Sequence, residues 1–420
     1  MTLVLLALPF VLLLIGVPIF ALLIVSALSA LLLSGLPPDV LPVLLLGGLD
    51  SYPLVAVPFF ILAGEIMSRG GLAKRLIALV LAIIGSVRGS LALTTIASSE
   101  LFGTMSGSAV GCVAAIGRLL LPALKQGGYS EKFGASLIAS SGAIAIIIPP
   151  SIAMIIYGVA AQQSISALFI AGILPGLFIG IVDGIYVYAY ARRHSIPVTG
   201  RFQWRVVIKA TREASWALGA PLVIFGGIYG GIFTPTEAAG IAIVYSALVS
   251  RYIYKDVTWA EIWQITISSA EVIAQILIIV AAASIYAWFL TTSGLANNLF
   301  NMVLSAKLGA YELLFVFNVL LLVIGSVVEP PAAILMLTPL FAPVMQSLGV
   351  DLIHFGIIVT VNLSIGMYTP PLGLNILAAH SLFGVPMRDL FHGVLPFLAI
   401  NLLALLVITY VPQLSLLLLR

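Results

Sequence analysis

Ala145-Ile146-Ile147-Ile148-Pro149-Pro150-Ser151 has a counterpart 221 residues later, Gly366-Met367-Tyr368-Thr369-Pro370-Pro371-Leu372. The same offset carries Pro122 onto Pro343, Gly128 onto Gly349 and Ser141 onto Asn362. Upstream it becomes 222, taking Phe102-Gly103 onto Ile324-Gly325, and then 223, taking Gly71-Leu72-Ala73 onto Gly294-Leu295-Ala296. Small insertions in a duplicated chain leave such a drift, so the chain is organised by an internal repeat. Proline lacks an N–H and clashes with the carbonyl four residues before it, so each tandem pair interrupts a helix.

The surroundings of these breaks are apolar. Of 420 residues, 62% are hydrophobic and 8% charged, whereas a soluble domain carries about 25% charged residues. Lipid forces every backbone polar group to be satisfied internally, which leaves helical bundles and closed barrels. Leu3–Ile15 and Leu313–Ile324 are continuous apolar runs without the two-residue alternation of a barrel strand, so the fold class is all-α and polytopic. At about 20 residues per span, the apolar material supports on the order of ten to twelve membrane segments. The stretch from Leu3 to about Leu33 has neither a basic leader nor a small-residue cleavage site and is expected to be a retained helix. The single cysteine, Cys112, is expected to be a small buried residue.

Charge gives the orientation. The polar stretch from Ala191 to Trp216 holds Arg192, Arg193, Arg201, Arg205, Lys209 and Arg212, six of the 18 basic residues, and is read as cytoplasmic. Between Arg69 and Lys132, outside the apolar runs, lie Arg69, Lys74, Arg75, Arg88, Lys125 and Lys132. The matching stretch, Thr292 to His354, has only Lys307. Similar segments with such different charge are expected to face opposite sides of the membrane, which makes the repeats inverted. The expected division is residues 1–68, N-terminal scaffold helices; 69–191, first repeat; 192–216, basic connector; 217–291, scaffold helices; and 292–420, second repeat. Each repeat reads as a connecting helix, a re-entrant hairpin, a Pro-Pro-broken helix and a transmembrane helix.

An unwound stretch at membrane depth survives only where it is buried in protein or lines a wet cavity. Paired segments interrupted by Gly and Pro point to a transport site, because freed carbonyls and half-helix ends hold Na⁺ and substrate carboxylates. The first hairpin tip offers Gly103, Thr104, Ser106 and Ser108. The first broken helix offers Ser140, Ser141, Gly142 and the backbone leading to Pro149, with Ala145 and Ile147. In the second repeat Gly325, Ser326 and Glu329 are expected to face Asn362, Ser364, Gly366, Thr369 and Pro370. Two largely uncharged oxygen clusters suit monovalent cations better than Ca²⁺ or Mg²⁺, which recruit carboxylates. Small residues also mark close helix packing, the competing reading for any single position. Intramembrane acids are Glu65, Glu100, Asp183, Glu237, Glu271 and Glu329. Glu329 is open to a site role, a tip-locking role or proton coupling. Arg118 is open to an ion pair, with Glu65 or Glu100, or to attraction of an anion. His194, His354, His380 and His392 form no HxxxH or HExxH pattern, so no metal or cofactor chemistry is expected beyond Na⁺. Trp204, Trp216, Trp259 and Trp263 sit as an interfacial belt would. No P-loop is present, and no paired acids or Ser/His arrangement supports an intramembrane enzyme.

The chain resembles, over essentially its whole length, the DctM-like large membrane subunit of tripartite ATP-independent periplasmic (TRAP) transporters, within the ion-transporter superfamily. The residues that carry the resemblance are Gly16-Val17-Pro18, Pro58-Phe59-Phe60-Ile61-Leu62-Ala63-Gly64, Gly103-Thr104-Met105-Ser106-Gly107-Ser108 with Ala114-Ala115-Ile116-Gly117, and Ile147-Ile148-Pro149-Pro150-Ser151. Gly231-Ile232-Phe233-Thr234-Pro235-Thr236-Glu237-Ala238, His354-Phe355-Gly356-Ile357, Asn362-Leu363 and Gly366 to Gly373 complete it. Gly111-Cys112-Val113 and Ala143-Ile144-Ala145 depart from the commoner family residues. The resemblance implies a bacterial inner-membrane, Na⁺-driven importer of an organic acid anion such as a C4-dicarboxylate or sialic acid, working by an elevator motion. It further implies a small four-helix membrane subunit and a periplasmic binding protein as partners, and no nucleic acid. The ion sites would lie between the Gly103–Ser108 tip and the Gly142–Pro149 break, and between the Gly325–Glu329 tip and the Gly366–Pro370 break. A stand-alone anion carrier of the same superfamily is the alternative.

Overall fold

A computed structural model describes residues 2–37, 39–306 and 309–419. Every regular element among them is helical. Among the described residues, five helices are long and apolar enough to cross a membrane: Tyr52–Arg69, Ala109–Gln126, Ile165–Arg193, Trp259–Thr292 and Met387–Tyr410. The expected ten to twelve segments therefore resolve differently. Gly and Pro cut much of the apolar material into shorter helices, such as Ile19–Ser34, Ala310–Gly325, Leu352–Gly366 and Leu374–Phe383.

Six helices from 72 to 193 match six from 295 to 410 in order. The first set is Leu72–Ile84, Ser90–Ser106, Ala109–Gln126, Glu131–Ile144, Ile152–Ala160 and Ile165–Arg193. The second is Leu295–Ser305, Ala310–Gly325, Pro330–Ser347, Leu352–Gly366, Leu374–Phe383 and Met387–Tyr410. Lys307, the one basic residue of the second matched stretch, lies outside the described residues. Local chemistry starts these helices. Ser130 caps Glu131–Ile144 by accepting the Phe133 N–H at 3.2 Å, and its counterpart Asp351 caps Leu352–Gly366 by accepting from Ile353 and His354 at 2.8 and 3.1 Å. Both Pro-Pro bonds are cis.

Packing obeys the same exchange. Helix Ala109–Gln126 lies against Leu374–Phe383, and Pro330–Ser347 lies against Ile152–Ala160, so each hairpin's returning helix touches the far half of the other repeat's broken helix. Ser364 Oγ donates to the Ala143 carbonyl at 2.7 Å. These residues are 221 apart and therefore equivalent, and equivalent residues touch only near the axis that relates them. The two breaks thus adjoin at the pseudo-twofold axis.

The flanking helices pack on one another and on both repeats. Pro235–Leu248 packs on Ala56–Arg69, Trp204–Tyr229 on Leu72–Ile84, and Trp259–Thr292 on Ile19–Ser34, Ala56–Arg69 and Pro330–Ser347. The polar connector is shorter than its composition suggests. Helix Trp204–Tyr229 begins inside it, placing Arg205, Lys209 and Arg212 on exposed first turns, because helical residues snorkel charge outward as well as a loop does. Trp204, Trp216, Trp259 and Trp263 are all exposed.

Candidate functional site at the hairpin tips and helix breaks

In the first repeat, Gly103, Thr104 and Ser106 occupy the last turn of Ser90–Ser106. The reversal itself is two residues. Gly107 takes a left-handed φ of 57°, and Ser108 caps the returning helix by accepting the Gly111 N–H at 3.2 Å. The tip is pressed onto the break: a Cβ on Gly103 would lie 2.8 Å from the Ala145 Cα, and one on Gly107 would lie 2.6 Å from the Pro150 carbonyl oxygen. Ser99, one turn before Gly103, meets Ser141 hydroxyl to hydroxyl at 3.2 Å. Residues four apart share a helix face, so Ser99 and Gly103 look at Ser141 and Ala145. Gly142 instead backs onto the returning helix, where a Cβ would collide with Val113 at 2.5 Å.

The second repeat builds the same junction. A Cβ on Gly366 would lie 2.6 Å from the Gly325 carbonyl carbon, and the Gly373 N–H donates to the Ser326 carbonyl at 3.1 Å. Asn362, fully buried, donates to Asn318 Oδ1 at 2.8 Å and to its carbonyl at 2.9 Å. Asn362 Oδ1 has no partner. Ser326 and Thr369 hydroxyls bond back to carbonyls of their own helices at 2.8 Å, as Thr104 does at 2.6 Å, which leaves their oxygen lone pairs free to accept or coordinate.

Two expected residues, Ser364 and Glu329, are not at the junctions, whereas Ile147, Pro149 and Pro370 lie in the breaks themselves. Ser364 crosses to the first repeat, because it is about 200° around the helix from Asn362 at ~100° per residue. Glu329 stands at the start of Pro330–Ser347, half-buried and without a hydrogen bond to the break. Ile147 and Pro149 are buried in the first break, where the Ile147 N–H bonds the Ile144 carbonyl at 2.9 Å. Pro370, half-buried, begins the cis pair of the second.

The other acids separate by setting. Glu65 pairs with Arg69 at 3.2 Å, Glu237 closes a capping box with Thr234, and Glu271 is exposed. Glu100 and Asp183 point inward. Arg118 has no ion pair among the described residues. It lines a cleft of about 450 Å³ with Glu65, Arg69, Lys74 and Asp256. His354 donates and accepts within the fold, reaching Ser415 at 3.1 Å and the Thr409 carbonyl at 3.2 Å. Cys112 is buried.

The sequence reading passed over Ser99, Asn318 and Gly64. Asn318 is the one amide in the apolar run of Ala310–Gly325, a usable signal. Gly64 matters because a Cβ there would lie 2.8 Å from the Ser106 Cα, which fixes the first tip against helix Ala56–Arg69.

Comparison with known proteins agrees with this architecture. Residues 6–414 match the family model of the tripartite ATP-independent periplasmic transporter, DctM component. The C4-dicarboxylate TRAP transporter large permease protein DctM of Pseudomonas aeruginosa is 39% identical over 367 residues, 87% of this chain and 86% of that one. The ectoine/5-hydroxyectoine TRAP transporter large permease protein UehC of Ruegeria pomeroyi is 37% identical over 372 residues, 89% of this chain and 87% of that one. Among solved structures, the YdaH transporter of Alcanivorax borkumensis aligns with a TM-score of 0.65 over 89% of each chain at 17% identity, a likeness of fold. The protein is a multi-pass secondary-transport permease and not an enzyme. With a nearly full-length family match and relatives above one-third identity, the chain belongs to the DctM family of tripartite ATP-independent periplasmic transporters.

Proposed function

We propose that this permease imports an organic acid anion across the bacterial inner membrane, driven by Na⁺ held at the two tip–break junctions. The carrying observation is the matched glycine contact, Gly103 on Ala145 and Gly325 on Gly366, which brings hydroxyls, amides and unwound carbonyls together on both sides of one axis. Such uncharged oxygen sets favour a hard monovalent ion. Ser106, Ser108, Ser141 and the 145–149 backbone serve the first ion. Ser326, Asn362, Thr369 and the 366–370 backbone serve the second. Residues 69–191 and 292–420 supply the hairpins and broken helices that move as an elevator, and residues 1–68 and 217–291 supply the scaffold.

The relatives named for C4-dicarboxylate and ectoine transport support a small carboxylate as cargo. A small four-helix membrane subunit and a periplasmic binding protein complete the transporter. Reconstitution with those partners is expected to give uptake that stops when choline replaces Na⁺. Ser106→Ala and Thr369→Ala are each expected to raise the Na⁺ concentration needed for half-maximal uptake. Unchanged Na⁺ dependence in both variants would refute the assigned sites, and full uptake without the binding protein would favour a stand-alone carrier.

A further inference from the structure

Helix Ile165–Arg193 carries one acid into the interior. Asp183 is fully buried, its Oδ2 receives only a long 3.4 Å contact from the Asn401 amide, and its Oδ1 has no partner. Asn401, 1% exposed, donates at 2.8 Å to the Tyr368 hydroxyl, and its own Oδ1 is likewise unpartnered. Tyr368, also 1% exposed, lies inside the second break between Gly366 and Pro370. No basic side chain pairs with Asp183 among the described residues. A second acid stands near. The Glu100 carboxyl rests on Gly180, one turn from Asp183, so closely that a Cβ there would lie 1.4 Å from Oε1.

Buried polar atoms are almost always satisfied, and a carboxylate away from water needs a positive partner. Packing alone gives no reason for these groups. The repeat places Ala404 opposite Asp183, Ile147 opposite Tyr368 and Leu322 opposite Glu100. Asn401 falls opposite Gly180, so none of the three positions equivalent to Asp183, Asn401 and Tyr368 carries a hydrogen-bonding side chain, and this triad belongs to one side only.

We propose that Asp183, Asn401 and Tyr368 form a binding site for a hard monovalent cation of sodium size, adjoining the second tip–break junction through Tyr368 but built from other side chains than the two ion sites assigned above. The donor set is a carboxylate oxygen, a phenol oxygen and an amide oxygen, all hard ligands. A half-turn of the Asn401 amide puts Oδ1 where Nδ2 now points, because the two atoms are nearly interchangeable in shape. The donor set has one carboxylate and two neutral ligands, Glu100 resting on Gly180 outside it, and so matches a single charge, whereas divalent ions recruit more carboxylates. Because Tyr368 is part of the break, a cation here ties the conformation of the second junction to helices Ile165–Arg193 and Met387–Tyr410. The proposal rests on this geometry and is independent of sodium coupling at the tips.

The test is ²²Na⁺ equilibrium dialysis of the purified full-length chain, with thermal unfolding in NaCl against choline chloride at equal ionic strength. Asp183→Asn, nearly isosteric, is expected to lose one bound Na⁺ per chain and part of the Na⁺-dependent stabilisation. Tyr368→Phe, which keeps the ring and the charge, is expected to fold and to bind the same ion more weakly. It keeps the test decisive if Asp183→Asn fails to fold. Equal Na⁺ counts in wild type and variants would overturn the site. So would stabilisation that Ca²⁺, and not Na⁺, provides, or stabilisation that follows acid pH and ignores Na⁺, which would place a proton on Asp183.

Discussion

Gly366 shows how much a single missing methyl decides. Its Cα hydrogen faces the Gly325 backbone, and a Cβ at 2.6 Å from a carbonyl carbon has no flexible neighbour to displace. Gly366→Ala is expected to destabilise by about 1–3 kcal/mol, the usual penalty for overpacking. Gly226, in helix Trp204–Tyr229, has open space where its Cβ would go, so Gly226→Ala is expected to be neutral or to stabilise by about 0.4–1 kcal/mol through the unfolded state. Thermal unfolding of the two variants checks the contrast, and equal behaviour would refute the tight junction. Ser364 makes a related point. Its hydroxyl spans the pseudo-twofold axis to the Ala143 carbonyl, and Ser364→Ala is expected to cost about 0.5–1.5 kcal/mol by removing one buried hydrogen bond, the carbonyl keeping the Ile146 N–H at 3.3 Å. An unfolding midpoint equal to wild type would mean the axis contact contributes nothing.

At the scale of elements, the breaks and reversals were readable because their causes are local. Pro149-Pro150 and Pro370-Pro371 cannot continue a helix wherever the chain goes. Gly107 after Ser106 and Pro330 after Glu329 end one helix and start another by backbone preference alone. The facing of side chains was not readable. Asn362 and Ser364 are two residues apart and belong to different neighbourhoods, Asn318 and Ala143, a difference set by rotation about the helix and by what packs there. The contact of Gly64 with Ser106 joins elements that no periodicity relates. The equivalent caps Ser130 and Asp351 yield an element-level prediction. Ser130→Ala and Asp351→Ala should each cost ~1 kcal/mol. The loss should be larger for Asp351, which accepts two N–H groups with a full charge at a helix N-terminus. Equal unfolding curves for both variants and wild type would refute that reading.

For the whole molecule, one axis relates the helices that carry the junctions, while the charges do not follow it. Residues 69–132 are basic where their equivalents hold a single basic residue, Lys307. That inequality has a physical cause only if equivalent ends lie on opposite sides of the bilayer. Composition fixed the membrane and the duplication fixed the pairing. The polar cluster at Asp183 escaped both because it breaks the symmetry. Gln126 and Ser347 are equivalent, exposed, and end the two returning hairpin helices. Cys112 is buried, so cysteines introduced at either position are labelled over a low background. The direct measurement is labelling of Gln126→Cys and Ser347→Cys with a membrane-impermeant maleimide applied to intact cells. The inverted arrangement predicts that Ser347→Cys reacts from outside and Gln126→Cys only after the membrane is opened. Reaction of both from the same side would contradict it.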